Sequence, residues 1–147
     1  MADFDRTHKL GYGEILKAEM GGDKKIHISG YASTNTPDLV DDIVEPAAFD
    51  KYLHMYKNNP IYCFNHNKEI PIGRVNSIYT DEKGLFIEDA VLSNIPVVKD
   101  IIGPLVLDGV LRQQSIGFLS LKGEPDGKFY RHKEVYLLEP SLVSIAC

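Results

Sequence analysis

Three glycine-containing turns, each with strand-like sequence on both sides, constrain the fold of this chain more than any other feature. The turns are Gly21-Gly22-Asp23, Asp81-Glu82-Lys83-Gly84 and Pro125-Asp126-Gly127. Because short turns of this composition join neighbouring antiparallel strands, the sequence predicts three β-hairpins. The predicted strands are residues 13–19 and 25–33, 72–80 and 85–92, and 115–122 and 128–138, with a last strand over 142–146.

Two other segments have the apolar spacing of helices. Residues 46–56 begin with a proline and then place apolar side chains on one helix face, which predicts a single helix there. A second helix is predicted from about Ser93 to Asp108, and Gly103-Pro104 should kink it or divide it into two short helices. About seven strands with two flanking helices predict an α+β, mainly antiparallel fold. Since closure removes exposed strand edges, we expect a closed or nearly closed β-barrel.

The bulk properties narrow the functional classes. A length of 147 residues fits one domain, and we expect a single domain over residues 1–147. A formal charge of -5 gives no electrostatic footprint for nucleic acid. No apolar run approaches the roughly 20 residues that span a membrane, and the N-terminus lacks a secretory signal, so we expect a cytoplasmic location. Cys63 and Cys147 do not define a disulfide framework.

A histidine stands at the end of a short apolar segment. Residues 60–64 lead into Asn65-His66-Asn67, which places an imidazole at a strand end between hydrogen-bonding neighbours. An unperturbed histidine titrates close to neutral pH and can therefore take and return a proton, as a hydroxyl nucleophile requires. His66 is a candidate general base. The alternative is an ordinary histidine of a surface loop.

A serine opens the strand that follows the second predicted helix. Gln113 and Gln114 link that helix to Ser115, and Gly117 leaves room for a backbone or a substrate to approach. Ser115 is a candidate nucleophile, although a purely structural serine would also fit this position. The segment is not the Gly-x-Ser-x-Gly elbow of the α/β hydrolases, because position 113 is glutamine.

A carboxylate lies between two apolar strand segments. Glu139 follows Leu138 and precedes Pro140. Burying an unpaired charge is costly, so a partner is expected. Orienting His66 would supply that partner, because the third residue of a catalytic triad fixes the tautomer of the base. The alternative is an exposed glutamate beside a proline corner.

Taken in order, these segments resemble the prohead protease family of tailed phages. The segments that carry the resemblance are residues 30–33, 41–49, 64–67, 71–75, 84–85, 109–111, 115–118 and 139–143. The resemblance extends from about Gly30 to Ala146 and depends on the ordered set, because no single segment is decisive.

The resemblance implies a fold similar to the herpesvirus capsid protease, a β-barrel with surrounding helices. It also implies a serine endopeptidase that cuts the scaffolding protein, or the scaffolding segment of the major capsid protein, and often itself. This cleavage would take place inside the immature capsid (prohead) in the host cytoplasm. On this resemblance His66 is the family's histidine and Ser115 its serine. Glu139 is the less direct match, because herpesvirus relatives use a second histidine where phage enzymes use an acid.

Acyl transfer by a serine and a histidine needs no metal, and we expect no cofactor. The net charge and the lack of a long apolar run predict neither a nucleic-acid partner nor a membrane. Gly117, Arg112 and Arg74 are candidates for oxyanion support or substrate contact. Herpesvirus relatives act as dimers, so a homodimer or higher homo-oligomer is expected. Two departures from the family stand out: Pro140 replaces a small residue, often valine, and the sequence ends at Cys147 where relatives continue.

Two other functions are compatible with the same residues. One is a non-enzymatic capsid scaffold or accessory barrel, in which the histidine and the serine serve only the structure. The other is a metal hydrolase using His54, His66 and His132, although their spacing matches no established ligand pattern.

Overall fold

The computed structural model describes residues 7–8 and 13–146, which form nine strands and four short helical segments. The strands are β1 (Thr7–His8), β2 (Gly13–Met20), β3 (Ile26–Thr34), β4 (Asp42–Val44), β5 (Ile61–Phe64), β6 (Gly73–Thr80), β7 (Gly84–Leu92), β8 (Gln113–Asp126) and β9 (Phe129–Val143). The helical segments are a 3-10 helix (Pro46–Phe49), α1 (Leu53–Tyr56), a π-helix (Val98–Ile102) and α2 (Gly103–Leu107).

Seven of the strands close into a barrel. They are hydrogen-bonded in the order β2, β3, β7, β6, β5, β9 and β8, and β8 returns to β2. The β5–β9 pair is parallel and the other pairs of the ring are antiparallel. β1 adds to β8, and β4 adds to β9. The predicted seven-stranded barrel is therefore confirmed.

The three predicted hairpins are present as β2–β3, β6–β7 and β8–β9. The last is the longest, with pairing that runs from Gln113 and Val143 to Asp126 and Phe129. Its turn contains Gly127 at φ 62, a left-handed conformation that glycine adopts at no steric cost. This long hairpin carries most of the candidate site.

The end of the chain differs from the prediction of two separate strands over 128–138 and 142–146. β9 is continuous from Phe129 to Val143. β8 is long enough to pair throughout, and a β-bulge absorbs the irregularity: Gly117 pairs with Glu139 and Phe118 with Leu137, which leaves Leu138 as the extra residue. Pro140 lies beside this bulge, where a strand tolerates a residue without an N–H donor.

The single helix predicted over 46–56 is wrong. The backbone leaves the helical conformation at Tyr52, with φ -120 and ψ 0, and divides the segment in two. The buried side chains of Phe49 and Tyr56 anchor the two pieces separately, so tertiary packing overrides helical continuity. The second helix is not divided at Gly103-Pro104: the π-helix runs directly into α2, and Ile102 and Gly103 both keep right-handed helical backbone. Pro104 lies in the first turn of α2, so the irregularity expected there takes the form of a change of helix type.

A buried polar pair sets the direction of the side chains at the start of β8. The Tyr62 hydroxyl donates to Gln114 Oε1 at 2.7 Å inside the barrel, and both residues are fully buried. Neighbouring residues of a strand point to opposite faces, so Ser115 points to the outer face of the barrel. None of the helices in the described part of the chain is long and apolar enough to cross a membrane.

Candidate active site

Three adjacent strands place the candidate residues side by side on the outer face of the barrel. Across β8 and β9, Ser115 lies opposite Ser141 and Gly117 lies opposite Glu139. Directly opposite residues of an antiparallel pair point to the same face. Ser141 also pairs with Cys63 of β5, the strand that ends just before His66. The fold thus brings His66, Ser115 and Glu139 to one region.

A tight turn at the end of β5 positions His66. The Asn67 N–H donates to the Phe64 carbonyl at 3.0 Å, with Asn65 at φ 49 and His66 at φ 61. Two consecutive positive φ values define a type I′ turn, in which asparagine is favoured. A histidine in this conformation costs about 1 kcal/mol, so the surrounding contacts must maintain it.

Hydrogen bonds to β9 and the residue just beyond it fix this turn. The Asn65 N–H donates to the Leu142 carbonyl at 2.9 Å, and Asn65 Oδ1 accepts the Ser144 N–H at 3.1 Å. The Asn-His-Asn sequence therefore stabilises the turn in addition to supplying an imidazole. Asn65 supplies both the left-handed conformation and the side-chain anchor.

Glu139 orients the imidazole of His66. Glu139 Oε1 lies 3.1 Å from His66 Nδ1, and the glutamate side chain is fully buried while that of His66 is 11% exposed. Because a carboxylate only accepts hydrogen bonds, this contact places a proton on Nδ1. No described residue hydrogen-bonds Nε2, which is therefore available as the basic nitrogen of the neutral ring.

Two further residues contact the carboxylate, and neither was predicted from the sequence. The Ser141 hydroxyl donates to Glu139 Oε2 at 2.5 Å, and Lys68 Nζ lies 3.7 Å from Oε1. A signal for Ser141 was present, since residues i and i+2 of a strand share a face. Lys68 follows the histidine turn, and nothing in its sequence context indicates the contact.

Gly117 provides the space that the carboxylate occupies. A Cβ atom at this position would overlap Glu139 Oε1 and would lie 3.8 Å from His66 Nδ1. The glycine is thus explained by packing against the His66–Glu139 pair. This reason is independent of any contact with substrate.

Ser115 is close to this group in the sheet but is not hydrogen-bonded to it. Its side chain is 1% exposed, and its hydroxyl has no hydrogen-bond partner in the described structure. A buried hydroxyl without a partner costs about 1 to 3 kcal/mol, so such groups are uncommon and call for an explanation. Ser115 and His66 therefore lie on the same side of the barrel without a direct bond between them.

The thiol of Cys63, which lies on β5 next to Ser141, is kept in its protonated form. Burial, and next the charge of Glu139, raise the pKa of the Cys63 thiol to about 11, with Lys68 acting in the opposite direction. The nucleophilic form of cysteine is the thiolate. Cys63 thus stays protonated at neutral pH and lacks the nucleophilic form.

The two arginines predicted to support the site are exposed. Arg112 precedes β8, where its carbonyl accepts the Ile15 N–H at 2.8 Å. Arg74 lies on β6 in a surface cleft with Lys57 and Pro60. That cleft is lined by none of the candidate triad residues, so the structure does not bring Arg74 to them. Roles for both arginines in substrate contact stay predictions.

The histidines considered as metal ligands do not form a cluster. Among residues 7–8 and 13–146, no group of three or more histidine, cysteine, aspartate or glutamate side chains is arranged to hold a metal ion. His54 lies on α1, His66 on the turn after β5, and His132 on β9. The described residues thus offer no site for the metal hydrolase alternative.

The chain matches known proteins over most of its length. The family model described as Caudovirus prohead serine protease matches residues 14–147. The prohead protease of Escherichia phage T5 is 33% identical over 127 residues, which are 83% of this chain and 59% of that protein. The prohead protease of Enterobacteria phage HK97 is 29% identical over 129 residues, 84% of this chain and 57% of that protein.

A solved structure has the same fold. The bacteriophage T4 capsid assembly protease superposes with a TM-score of 0.75 at 11% identity, covering 94% of this chain and 96% of that one. At this identity the likeness concerns the fold alone. The chain spans less than three fifths of the length of the two curated relatives.

Proposed function

The chain belongs to the caudovirus prohead serine protease family, and on that premise we propose that it is a serine endopeptidase of capsid maturation. Ser115 is the nucleophile, His66 the general base and Glu139 the residue that orients the base. One observation carries the proposal: a fully buried carboxylate is bound to His66 Nδ1 on the barrel face that also presents Ser115.

The reaction is acyl transfer without a metal ion. Glu139 accepts a hydrogen bond from His66 Nδ1–H and so keeps that proton on Nδ1. His66 Nε2 then accepts the proton of the Ser115 hydroxyl as Oγ attacks the scissile carbonyl. When the tetrahedral intermediate collapses, the C–N bond breaks and His66 returns the proton to the leaving amine. His66 then takes a proton from water as the water attacks the acyl carbonyl, the C–Oγ bond breaks, and His66 returns the proton to Ser115 Oγ. Gly117 and Arg112 are candidates for supporting the oxyanion, and Arg74 for contacting a more distant part of the substrate.

The burial of Ser115 adds a step before the chemistry. At 1% exposure its hydroxyl cannot reach a peptide carbonyl, and it makes no bond to His66. Substrate binding must therefore displace the atoms that cover Ser115 and bring Oγ to Nε2. Catalytic hydrogen bonds are often formed only in the complex with substrate.

The substrates we propose are the scaffolding protein or the scaffolding segment of the capsid precursor, and the chain itself. Support comes from the family, which is one of prohead proteases, and from the two phage relatives, which are prohead proteases. The enzyme acts inside the immature capsid in the host cytoplasm, as a homodimer or higher homo-oligomer. An extended peptide adding to a strand edge would gain main-chain hydrogen bonds.

Coexpression with the capsid precursor of the same phage, followed by mass spectrometry, tests the proposal. Wild-type protein should yield defined cleavage products, and Ser115→Ala should abolish them. Ser120→Ala, which removes a hydroxyl from the same strand, is the matched control and should cleave like the wild type. Cleavage that persists in Ser115→Ala removes Ser115 from the mechanism. Absence of cleavage by the wild type favours the non-enzymatic barrel.

A further inference from the structure

We propose that Ser141 is a positioning residue of the active site, whose single hydroxyl fixes both the backbone of His66 and the carboxylate of Glu139. The inference rests on the proposed function and deepens it by adding a residue to the three already named. Ser141 acts through the other two, since its hydroxyl is committed to them.

The Ser141 hydroxyl uses both of its hydrogen-bonding capacities within the site. It accepts the His66 backbone N–H at 3.2 Å and donates its proton to Glu139 Oε2 at 2.5 Å. A hydroxyl has one proton to donate and lone pairs to accept. One atom thus links the main chain of the general base to the group that orients its ring.

The bond to His66 answers a need created by the turn. In the type I′ turn from Phe64 to Asn67, only the Asn67 N–H returns to the Phe64 carbonyl. The His66 N–H has no partner within the turn, and a partly buried backbone donor requires one. Ser141 supplies it from the neighbouring strand. The left-handed conformation of His66, at φ 61, therefore depends in part on this hydroxyl.

The bond to Glu139 sets the orientation of the carboxylate. Oε1 contacts His66 Nδ1 and Lys68 Nζ, whereas Ser141 is the donor to Oε2 among the described residues. Without the Ser141 hydroxyl, Oε2 would be buried without a hydrogen-bond donor, which is unfavourable for a carboxylate oxygen. The carboxylate would then turn towards the partly exposed Lys68 and lose its alignment with Nδ1.

Hydrogen bonding, and not burial, distinguishes Ser141 from the proposed nucleophile. Ser141 is fully buried, and its proton and one lone pair are engaged. Ser115 lies directly opposite on β8 with an unengaged hydroxyl. The two serines therefore divide the roles: Ser115 attacks, and Ser141 holds the groups that activate it.

The test compares Ser141→Ala with Ser33→Ala, which removes a hydroxyl of equal burial that has no hydrogen-bond partner. Both variants are assayed on a peptide that spans the cleavage site identified by mass spectrometry in the capsid precursor. Ser141→Ala should lower kcat roughly 10- to 100-fold, because small displacements of catalytic groups are costly, while KM changes less than about twofold. Ser33→Ala should retain both values. Equal kcat in the two variants would overturn the proposal, as would a substrate-derived acyl adduct on Ser141.

Nuclear magnetic resonance tests the geometry without relying on activity. In the wild-type protein the His66 amide should be protected from hydrogen exchange although it lies in a turn, and rapid exchange would contradict the bond to Ser141. In Ser141→Ala that amide should lose protection and the imidazole nitrogens should lose their single-tautomer signals. If Ser115→Ala cleaves like the wild type, the proposed function fails, whereas these signals still decide whether Ser141 holds His66 and Glu139.

Discussion

Two sets of serine, histidine and carboxylate meet at the long β8–β9 hairpin, each completed by one residue from outside it, and the two sets differ in their hydrogen bonds. In the first, on the outer face, Ser115 has no hydrogen-bond partner while Glu139 holds His66. In the second, Ser120 Oγ lies 2.7 Å from His132 Nδ1, and His132 Nε2 lies 3.3 Å from Asp42 Oδ1.

The surroundings of the second set explain the difference. His132 is 1% exposed and packs edge-on against Phe118 and Tyr130, with ring centroids 5.2 and 5.0 Å away. Both of its ring nitrogens are engaged, so the set joins β4, β8 and β9. The enclosure of His132 between two aromatic rings, and not its bond to a serine, therefore favours a structural role for the second set, because a serine bonded to a histidine is also the geometry of a catalytic pair. Residue type alone does not separate the two sets.

Exchanging each histidine for alanine should separate chemistry from stability. His66→Ala should lower the rate of peptide cleavage by about 10⁴- to 10⁶-fold, because removing the general base removes the activated nucleophile. His132→Ala should instead lower the free energy of unfolding by about 2 to 4 kcal/mol, through the lost packing and the unpaired Asp42. Urea denaturation and single-turnover cleavage measure the two effects.

The contrast between the two sets fails if His132→Ala lowers the cleavage rate as His66→Ala is expected to. Folded His132→Ala should cleave within about threefold of the wild type, because distant sites act independently. A loss of activity in folded His132→Ala as large as that of His66→Ala would place the second set in the reaction.

Neutralising the two carboxylates sharpens the same contrast. Glu139→Gln should lower kcat by about 10³- to 10⁴-fold, because an amide can donate to Nδ1 and so favour the wrong tautomer of His66. Asp42→Asn should leave kcat close to the wild-type value and lower the free energy of unfolding by less than about 2 kcal/mol. Steady-state kinetics on a peptide substrate provide the measurement, and an active Glu139→Gln would show that Glu139 serves only the fold.

The barrel could be predicted from sequence because its signals are local. Each hairpin is encoded by a glycine-containing turn between alternating strands, as in Ile26 and Ile28 of β3, which point into the core. Pro104 likewise indicated an irregularity in the second helix, which is present as a π-helical segment directly before α2 and not as a break. The break at Tyr52 and the continuity of β9 through Pro140 were missed, because packing and pairing with distant segments decide them.

The family resemblance predicted from the ordered segments is confirmed by the comparisons. The roles of His66, Ser115 and Glu139 stay predictions, although the structure gathers all three. The contact of Ser141 with His66 and that of Lys68 with Glu139 could not be derived from sequence, because they depend on the register of β9 against β5 and on the path of the turn after β5. The second set was equally hidden, since Asp42 and His132 meet through a parallel pairing of distant strands.

Filling the space at Gly117 should lower kcat less than His66→Ala or Glu139→Gln does. Like those changes, it acts on the first set. In Gly117→Ala the new Cβ overlaps Glu139 Oε1, and the fully buried carboxylate cannot move without breaking its bonds to His66 and Ser141. We expect kcat to fall about 100-fold and the free energy of unfolding to fall by about 1 to 3 kcal/mol. Gly22→Ala is the control, because no atom lies within 4 Å of a Cβ there. If Gly117→Ala and Gly22→Ala had equal kcat, the position of the carboxylate would not matter for catalysis, and the contrast between the two sets would lose its basis.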